Sequence, residues 1–271
     1  MKIARFEESY GHQGYAAVQP DGSFIEIEGD LYNEIMLTGR VVKPARLLAP
    51  IDPPNILAVG LNYKRHAAET GARVPDHPVL FIKTTNSLLG HGAAIEIPVT
   101  LASNEVDYEA ELAVVIGRTC HNVKRADALD YVLGYTCAND VSARDWQKMG
   151  GGGQWCQGKG FDTFCPLGPW IVTRDEIPDP GKLRIRSILN GTTMQDSNTG
   201  DMGFDVPALI EFLSSSKTLL PGTVILTGTP EGVGFARKPP VFMRPGDTIV
   251  IDIEGIGALE NPVVAESWAG L

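Results

Sequence analysis

Short runs of apolar and β-branched residues, each closed by glycine, proline or polar residues, recur along most of this chain. Such runs are typical of β-strands, and the three-to-four-residue apolar period of a helix is rarer. That period is clearest at 125–130 and 206–214, and Asp205 is the expected N-cap of the second helix. The pattern predicts a mainly-β, α+β fold rather than a doubly wound parallel sheet. Strands are predicted at 56–60, 79–83, 94–97, 109–116, 133–139, 170–173, 182–189, 224–227 and 248–253.

The first fifty residues are set apart by their turns and by the connection that follows them. Two apolar runs flank Asp21-Gly22, which is a strong hairpin signal. The stretch 48–54 is rich in proline and leads into the next predicted strand. The sequence thus predicts a small β-rich N-terminal domain over 1–53 and a larger domain over 54–271.

The net charge argues against one class of partner. The 271 residues include 33 acidic and 23 basic side chains, which gives a formal net charge of −10. Binding to nucleic acid needs a basic face, so we expect no such partner, although a bound divalent ion would still let an acidic protein take an anionic substrate. No apolar stretch approaches the ~18 residues of a membrane span, and the N-terminus lacks an apolar signal segment. We therefore expect a cytoplasmic protein with no membrane partner.

Two carboxylates stand two residues apart at the head of the strand predicted at 109–116. Side chains of a strand alternate between its faces, so Glu109 and Glu111 point the same way and repel each other unless a cation or a proton lies between them. Asp140, after the strand predicted at 133–139, offers a third carboxylate. Three carboxylates without cysteine or histidine favour Mg²⁺ or Mn²⁺, with Ca²⁺ as a further candidate. The alternative is an amphipathic strand whose acidic face is simply solvated.

A histidine and a lysine are the candidate catalytic groups. His66 and Glu69 are spaced i, i+3 in a stretch of helical pattern, which makes them neighbours, and a carboxylate beside an imidazole raises its basicity. Lys159 lies in a loop rich in glycine and proline. The alternatives are a partly buried surface histidine for His66, an ordinary loop lysine for Lys159 and a turn residue for Asp140.

These motifs in combination resemble the fumarylacetoacetate hydrolase family, in particular its branch of bacterial 2-oxoacid enzymes and mitochondrial domain-containing homologues. The resemblance covers roughly residues 55–255. It rests on Gly-Leu-Asn-Tyr at 60–63 with the His66/Glu69 pair, Phe-Ile-Lys at 81–83, the Glu-x-Glu strand, the stretch 139–145, the Lys159 loop and Thr-Gly-Thr-Pro at 227–230. The resemblance implies a mixed β-sandwich roll as the catalytic domain, with Mg²⁺ or Mn²⁺ at one mouth, usually in a homodimer.

The resemblance also implies a role for each candidate residue. The implied metal ligands are Glu109, Glu111 and Asp140. The implied catalytic residues are His66 and Glu69, as the base that activates water, and Lys159, which would face the substrate's oxygens. The candidate substrate contacts are Lys83, Gln147, Arg144 and Thr229. For the first three of these an alternative stays open, namely pairing with Asp107, Asp145 or another acid.

The resulting hypothesis is a metal-dependent hydrolase that acts on carbon–carbon bonds in ketonic substances. Its small-molecule substrates would be acylpyruvate-type or 2,4-diketo acids, cleaved through a pyruvate enolate that a Lewis-acidic cation stabilises. Within the enzymes, the alternatives are decarboxylation or tautomerisation of oxaloacetate and isomerisation of a hydroxyhepta-diene-dioate. Outside them, the alternative is a metal-stabilised β-domain that binds a ligand without turning it over. The His66/Glu69 pair favours an enzyme, because a binding module needs no base beside its metal.

Overall fold

The larger of two sheets carries the candidate site near its middle. The computed structural model describes residues 1–150 and 152–267, and this sheet has ten strands along its path in that part of the chain. Most neighbours are antiparallel, but Val224–Leu226 runs parallel to Ile56–Gly60, so the sheet is mixed. Across the sheet the strands are Ile35–Val42, Phe24–Gly29, Gln13–Val18, Lys2–Glu7, Cys165–Thr173, Val132–Asn139, Ala110–Ile116, Val224–Leu226, Ile56–Gly60 and Val79–Lys83. Two short strands pair beside this path, Arg46–Leu47 and Leu88–Leu89.

A second sheet packs against the first and closes the sandwich. In order, its strands are Thr192–Asn198, Arg184–Leu189, Thr248–Ile253, Gly257–Ala265 and Ile95–Ile97. Alternate residues of Thr248–Ile253 are buried, and Ile249 and Ile251 share one core cluster with Leu112 and Val114 of the larger sheet. The predicted mainly-β fold with mixed sheets is therefore confirmed. Two short ribbons complete the described strands, Val106–Asp107 with Ser142–Ala143 and Cys120–His121 with Thr218–Leu219.

The strand Ala110–Ile116 is buried on both of its faces. Leu112 and Val114 belong to the core between the sheets, whereas Ala113 and Val115 belong to a second cluster on the opposite face. A strand covered on both sides needs a nearly continuous apolar run, and that is what its sequence provides after Glu111. The carboxylates at its head are thus held by a rigid and central element.

Helices are few and short, and they were predicted less well than the strands. The α-helices are Lys64–Glu69, Cys156–Lys159 and Val206–Ser214, and Trp146–Gly150 forms a π-helical turn. The helix predicted at 206–214 is confirmed, but the one predicted at 125–130 is the 3₁₀ helix Arg125–Tyr131. The other 3₁₀ turns are Thr85–Ser87, Thr199–Asp201 and Gly234–Ala236. No helix within the described ranges is long and apolar enough to cross a membrane.

Asp205 caps the longest of these helices, as predicted. Its carboxylate accepts a hydrogen bond of 3.0 Å from the backbone N–H of Ala208 and also pairs with the exposed Arg125. We expect Asp205→Ala to lower the free energy of unfolding by about 1 kcal/mol. Asp205→Asn keeps the cap and loses only the ion pair, so it should cost less than half as much. Thermal unfolding of both variants tests this prediction, and equal losses would mean that the ion pair, not the cap, stabilises the helix.

The N-terminal strands continue the larger sheet. The predicted hairpin forms from Gln13–Val18 and Phe24–Gly29, with Val18 opposite Phe24. Lys2–Glu7 then joins this hairpin to Cys165–Thr173 through the pair Lys2 and Val172. The division into domains at residue 53 stays a prediction, because the two parts share this ladder of hydrogen bonds.

Candidate metal centre and active site

The predicted ligands Glu109, Glu111 and Asp140 lie together and are buried. Each offers a carboxylate oxygen, and these oxygens all lie within 4.8 Å of one another. Glu111 is on strand Ala110–Ile116, opposite Ala138, and Asp140 directly follows the neighbouring antiparallel strand. Exposed fractions of 6%, 2% and 0% for the three residues exclude the alternative of a solvated acidic face.

The backbone places Glu109 differently from what the sequence predicted. The strand begins at Ala110, not at Glu109. Glu109 donates its backbone N–H to Asn139 Oδ1 at 3.0 Å, and its carbonyl oxygen accepts from the N–H of Asp140 at 3.0 Å. The start of one strand and the end of its antiparallel neighbour are thus fastened side by side, and this brings the acids of both together.

Two buried lysines and an arginine neutralise part of this cluster. Asp140 accepts hydrogen bonds from Lys83 Nζ at 2.6 Å and from Lys159 Nζ at 2.7 Å. Glu109 accepts from Lys159 Nζ at 2.8 Å and pairs with Arg144 Nη1 at 2.7 Å. For Lys83 and Arg144 these contacts match the alternative of pairing with an acid, and Lys159 is engaged in the same way. Both lysines hold the acids in place, and of the two only Lys159 lines the cavity beside the cluster, whereas Lys83, a predicted substrate contact, does not.

Glu111 is the member of the cluster whose charge is least compensated. Its carboxylate accepts from the backbone N–H of Gly228 at 2.7 Å, and no lysine or arginine in the described ranges forms an ion pair with it. Burial, followed by the negative charges of Asp140 and Glu109, raises the pKa of Glu111 well above its usual value. Burial alone would raise the pKa of Glu109 too, but Lys159 and Arg144 outweigh it and lower that pKa to about 2. A divalent cation would supply the missing positive charge, and the all-oxygen donors fit a hard ion of the Mg²⁺ or Mn²⁺ type.

Behind the cluster lies a fully buried carboxylate, Asp107, which holds Arg144 in position. It accepts from Arg144 Nε at 2.9 Å and from the backbone N–H groups of Gly234 at 2.8 Å and Phe235 at 3.0 Å. A Cβ on Gly234 would lie 1.9 Å from the carbonyl oxygen of Val241, so only glycine lets this loop approach so closely. Asp107 was considered from the sequence only as a partner for other candidates, because nothing in its spacing reveals this role.

The helix Lys64–Glu69 carries the predicted His66/Glu69 pair. His66 Nδ1 lies 3.2 Å from Glu69 Oε2, and Glu69 Oε1 accepts from the backbone N–H of Gly232 at 2.9 Å. Burial alone would raise the pKa of Glu69, but the hydrogen bonds from His66 and Gly232 outweigh it and lower the pKa. The carboxylate therefore stays ionised and fixes the orientation of the imidazole, whose Nε2 has no hydrogen bond within the described residues.

Gln147 and Thr229, the remaining predicted substrate contacts, line a cavity beside the acid cluster, but both also have hydrogen-bond partners in the protein. Gln147 Oε1 accepts from Arg144 Nη1 at 3.0 Å. The Thr229 hydroxyl donates to the carbonyl oxygen of Ala110 at 3.0 Å and accepts from Gln195 Nε2 at 2.8 Å. Contact of either residue with a substrate stays a prediction.

A cavity of about 460 Å³ brings these groups together. The acid cluster, His66, Lys159 and Arg144 all line it. Its remaining wall is largely apolar, and the larger side chains there are Val59, Leu61, Phe81, Trp155 and Phe235. Sequence reasoning missed this wall, because single apolar residues on separate loops carry no periodic signal. The site can thus hold a small molecule between the acid cluster and a histidine.

Two protein families match this chain over most of its length. Residues 55–264 match the family described as Fumarylacetoacetate (FAA) hydrolase C-terminal, and residues 1–50 match the one described as Rv2993c-like, N-terminal. The mitochondrial oxaloacetate tautomerase fahd2 of Xenopus laevis is 52% identical over 219 residues, which is 80% of this chain and 68% of that protein.

Two solved structures are similar to almost the entire chain. One is a 2-hydroxyhepta-2,4-diene-1,7-dioate isomerase from Mycobacterium marinum, with 42% identity and a TM-score of 0.85 over 99% of this chain and 100% of that one. The other is a fumarylacetoacetate hydrolase from the psychrophilic Exiguobacterium antarcticum, with 37% identity and a TM-score of 0.88 over 98% of this chain and 100% of that one. The chain belongs to the fumarylacetoacetate hydrolase family, a family of enzymes.

Proposed function

We propose that this chain is a metal-dependent enzyme that interconverts the enol and keto forms of oxaloacetate or a closely related 2-oxo dicarboxylic acid. The observation that carries the proposal is the presence of the acid cluster and of His66, whose Nδ1 contacts Glu69, in one cavity. A relative at 52% identity bears the name oxaloacetate tautomerase, which favours this reaction over the hydrolysis predicted from the sequence.

The proposed roles follow from the contacts of each side chain. Glu109, Glu111 and Asp140 would hold the cation, which supplies Lewis acidity toward the oxygens of a 2-oxoacid when it is bound. Tautomerisation moves one proton from the C2 hydroxyl to C3. We assign the proton transfer at C3 to His66, with Glu69 keeping Nδ1 protonated and Nε2 free to exchange the proton.

Lys159 would act mainly by holding two ligands at once. Its ammonium group bridges Glu109 and Asp140 and is 2% exposed, so it keeps both carboxylates at a fixed separation. The positive charge also lies beside the cavity where an enolate would form. The apolar wall with Phe81 and Trp155 would exclude water from the reacting carbons.

Hydrolysis of an acylpyruvate is the second candidate, and the same pair of residues favours it. A histidine backed by a carboxylate can take a proton from water as well as from carbon, provided that water reaches it. One of the similar solved structures is named a fumarylacetoacetate hydrolase. Isomerisation of a hydroxyhepta-diene-dioate, the third candidate, also transfers protons next to a 2-oxo acid group. The homodimer expected from the sequence remains a prediction.

A comparison of substrates separates these reactions. With Mg²⁺ or Mn²⁺ present, the decay of the enol absorbance of oxaloacetate is followed beside the cleavage of acetylpyruvate and the isomerisation of hydroxyhepta-diene-dioate. We expect the fastest turnover for the enol of oxaloacetate. Faster cleavage of acetylpyruvate would make the protein a hydrolase, and binding of these acids without turnover would make it a binding domain.

Removal of the divalent ion is expected to abolish activity. Lewis-acid stabilisation contributes several kcal/mol, so an excess of EDTA should reduce the rate more than about 100-fold. Mg²⁺ or Mn²⁺ in excess of the chelator should restore it, whereas Ca²⁺, with its larger and looser coordination, should restore less. Full activity in EDTA would contradict a metal-dependent mechanism.

A further inference from the structure

The cations that line the cavity differ in whether a protein carboxylate already neutralises them. Arg144 is paired with Asp107 and Glu109, and Lys159 is paired with Glu109 and Asp140. Lys148 also lines the cavity, but it forms no ion pair with any acid in the described ranges. Its charge is therefore available to a ligand.

The ring of Phe235 positions Lys148 at the exposed side of the cavity. Lys148 Nζ lies 4.1 Å from the centroid of this ring, and the guanidinium of Arg144 lies 4.5 Å from the same centroid. The π-helical turn Trp146–Gly150 carries Lys148, and the side chain is exposed. A cation that rests on an aromatic ring still has N–H donors free, so it can bind a carboxylate without first breaking an ion pair.

The charges around the cluster leave a need for such a cation. Four buried carboxylates, of Asp107, Glu109, Glu111 and Asp140, face three buried cations in the described part of the chain, those of Lys83, Arg144 and Lys159. A divalent ion would turn the deficit of one positive charge into an excess of one. The carboxylate next to the 2-oxo group of a substrate would neutralise that single positive charge. A second carboxylate on the substrate would therefore need a further cation.

We infer that Lys148 binds the distal carboxylate of the substrate, so that the site prefers 2-oxo dicarboxylates to 2-oxo monocarboxylates. This inference rests on the proposed function for its substrate class. It makes Lys148 a specificity-determining residue, whereas the acid cluster and the His66/Glu69 pair would accept either kind of 2-oxo acid.

Two ligands of equal chain length test the inference without turnover. In 2-oxoglutarate the distal end is a carboxylate, and in 2-oxopentanoate it is a methyl group. Calorimetric titration of the Mg²⁺-loaded protein should show tighter binding of 2-oxoglutarate, by roughly fivefold, the size of one exposed ion pair. The preference should shrink as the ionic strength rises.

Substitutions assign this preference to one side chain. Lys148→Met should remove it and raise the KM for oxaloacetate by a similar factor, while Lys148→Arg should keep it. Lys217→Met is the matched control, because Lys217 also lies over a phenylalanine ring, 5.5 Å from the centroid of Phe212, but outside the cavity. All three variants should melt at the temperature of the wild type, since both lysines are exposed.

An unchanged preference in Lys148→Met would overturn the inference, and so would equal affinities, or no binding, of both ligands in the wild type. The affinities of 2-oxoglutarate and 2-oxopentanoate are measured without turnover, so this test does not depend on catalysis. A protein that binds 2-oxoglutarate through Lys148 but leaves the enol of oxaloacetate untouched would refute the proposed reaction and keep the assignment of Lys148.

Discussion

Replacing Glu111 by glutamine is expected to abolish binding of the divalent ion and, at the same time, to stabilise the metal-free protein. Glu111 is a buried carboxylate beside two others, so its negative charge is costly when no cation is bound. Glutamine keeps the shape and still accepts the hydrogen bond from the N–H of Gly228. We expect affinity for Mn²⁺ to fall more than about 100-fold, since even residues behind metal ligands cost 10–100-fold.

The stability of the metal-free variant should rise by about 2 kcal/mol, a typical cost for burying an uncompensated polar group. For a chain of this size that corresponds to a melting temperature higher by roughly 5 °C. The control is Glu260→Gln, an exposed glutamate on the strand Gly257–Ala265, which should change neither quantity. A metal-free Glu111→Gln protein that is less stable than the wild type would show that the carboxylate charge is well compensated.

The charge of Glu111 should also make the stability of the metal-free protein depend on pH. The pKa of Glu111 in the folded protein lies above its unfolded value of about 4.3, so the folded state holds this proton more tightly. The free energy of unfolding that this bound proton contributes is therefore fully present below the unfolded pKa, and it is lost as the pH rises through the folded pKa. The difference in stability between Glu111→Gln and wild type should thus grow with pH above about 4.3.

Replacing His66 by alanine is expected to remove nearly all turnover while leaving the cation site intact. General acid–base catalysis by a positioned side chain contributes typically 10²–10⁴-fold, and we expect kcat to fall within that range. His66 is not among the grouped ligands, so the affinity for Mn²⁺ should stay within about twofold of the wild type.

The matched control for His66→Ala is His77→Ala. His77 is exposed and stacks on Phe212, away from the cavity, so its loss should leave both turnover and Mn²⁺ binding unchanged. If His66→Ala keeps wild-type turnover, another group transfers the proton. If it loses Mn²⁺ affinity instead, His66 supports the cation site and its proposed catalytic role fails.

The strands of the core could be predicted from the sequence because burial leaves a mark on composition. Ala110–Ile116 and Val132–Asn139 are almost entirely buried and are rich in apolar residues, and the first contains the unbroken apolar run 112–116. Thr192–Asn198 and Gly257–Ala265 were missed for the opposite reason. The first is a polar strand at the edge of its sheet, and the second is interrupted by Asn261 and Pro262.

The site was predictable to the extent that it rests on spacing along the chain. The i, i+2 and i, i+3 spacings pointed to Glu109 with Glu111 and to His66 with Glu69. The structure brings Glu109, Glu111 and His66 to one cavity, and Glu69 contacts His66 Nδ1. The partners of these residues come from distant segments, such as Lys83, which lies 57 residues from Asp140. Contacts of that kind depend on the packing of the sheets, which no local pattern encodes.

The decay of the enol of oxaloacetate in the presence of Mg²⁺ tests the central claim most directly, when wild type, Glu111→Gln and His66→Ala are measured side by side. The claim is that the acid cluster and the histidine act together on a 2-oxo acid. It predicts acceleration over buffer for the wild type and decay at about the buffer rate for both variants. No acceleration by the wild type, or acceleration by either variant equal to that of the wild type, would contradict it.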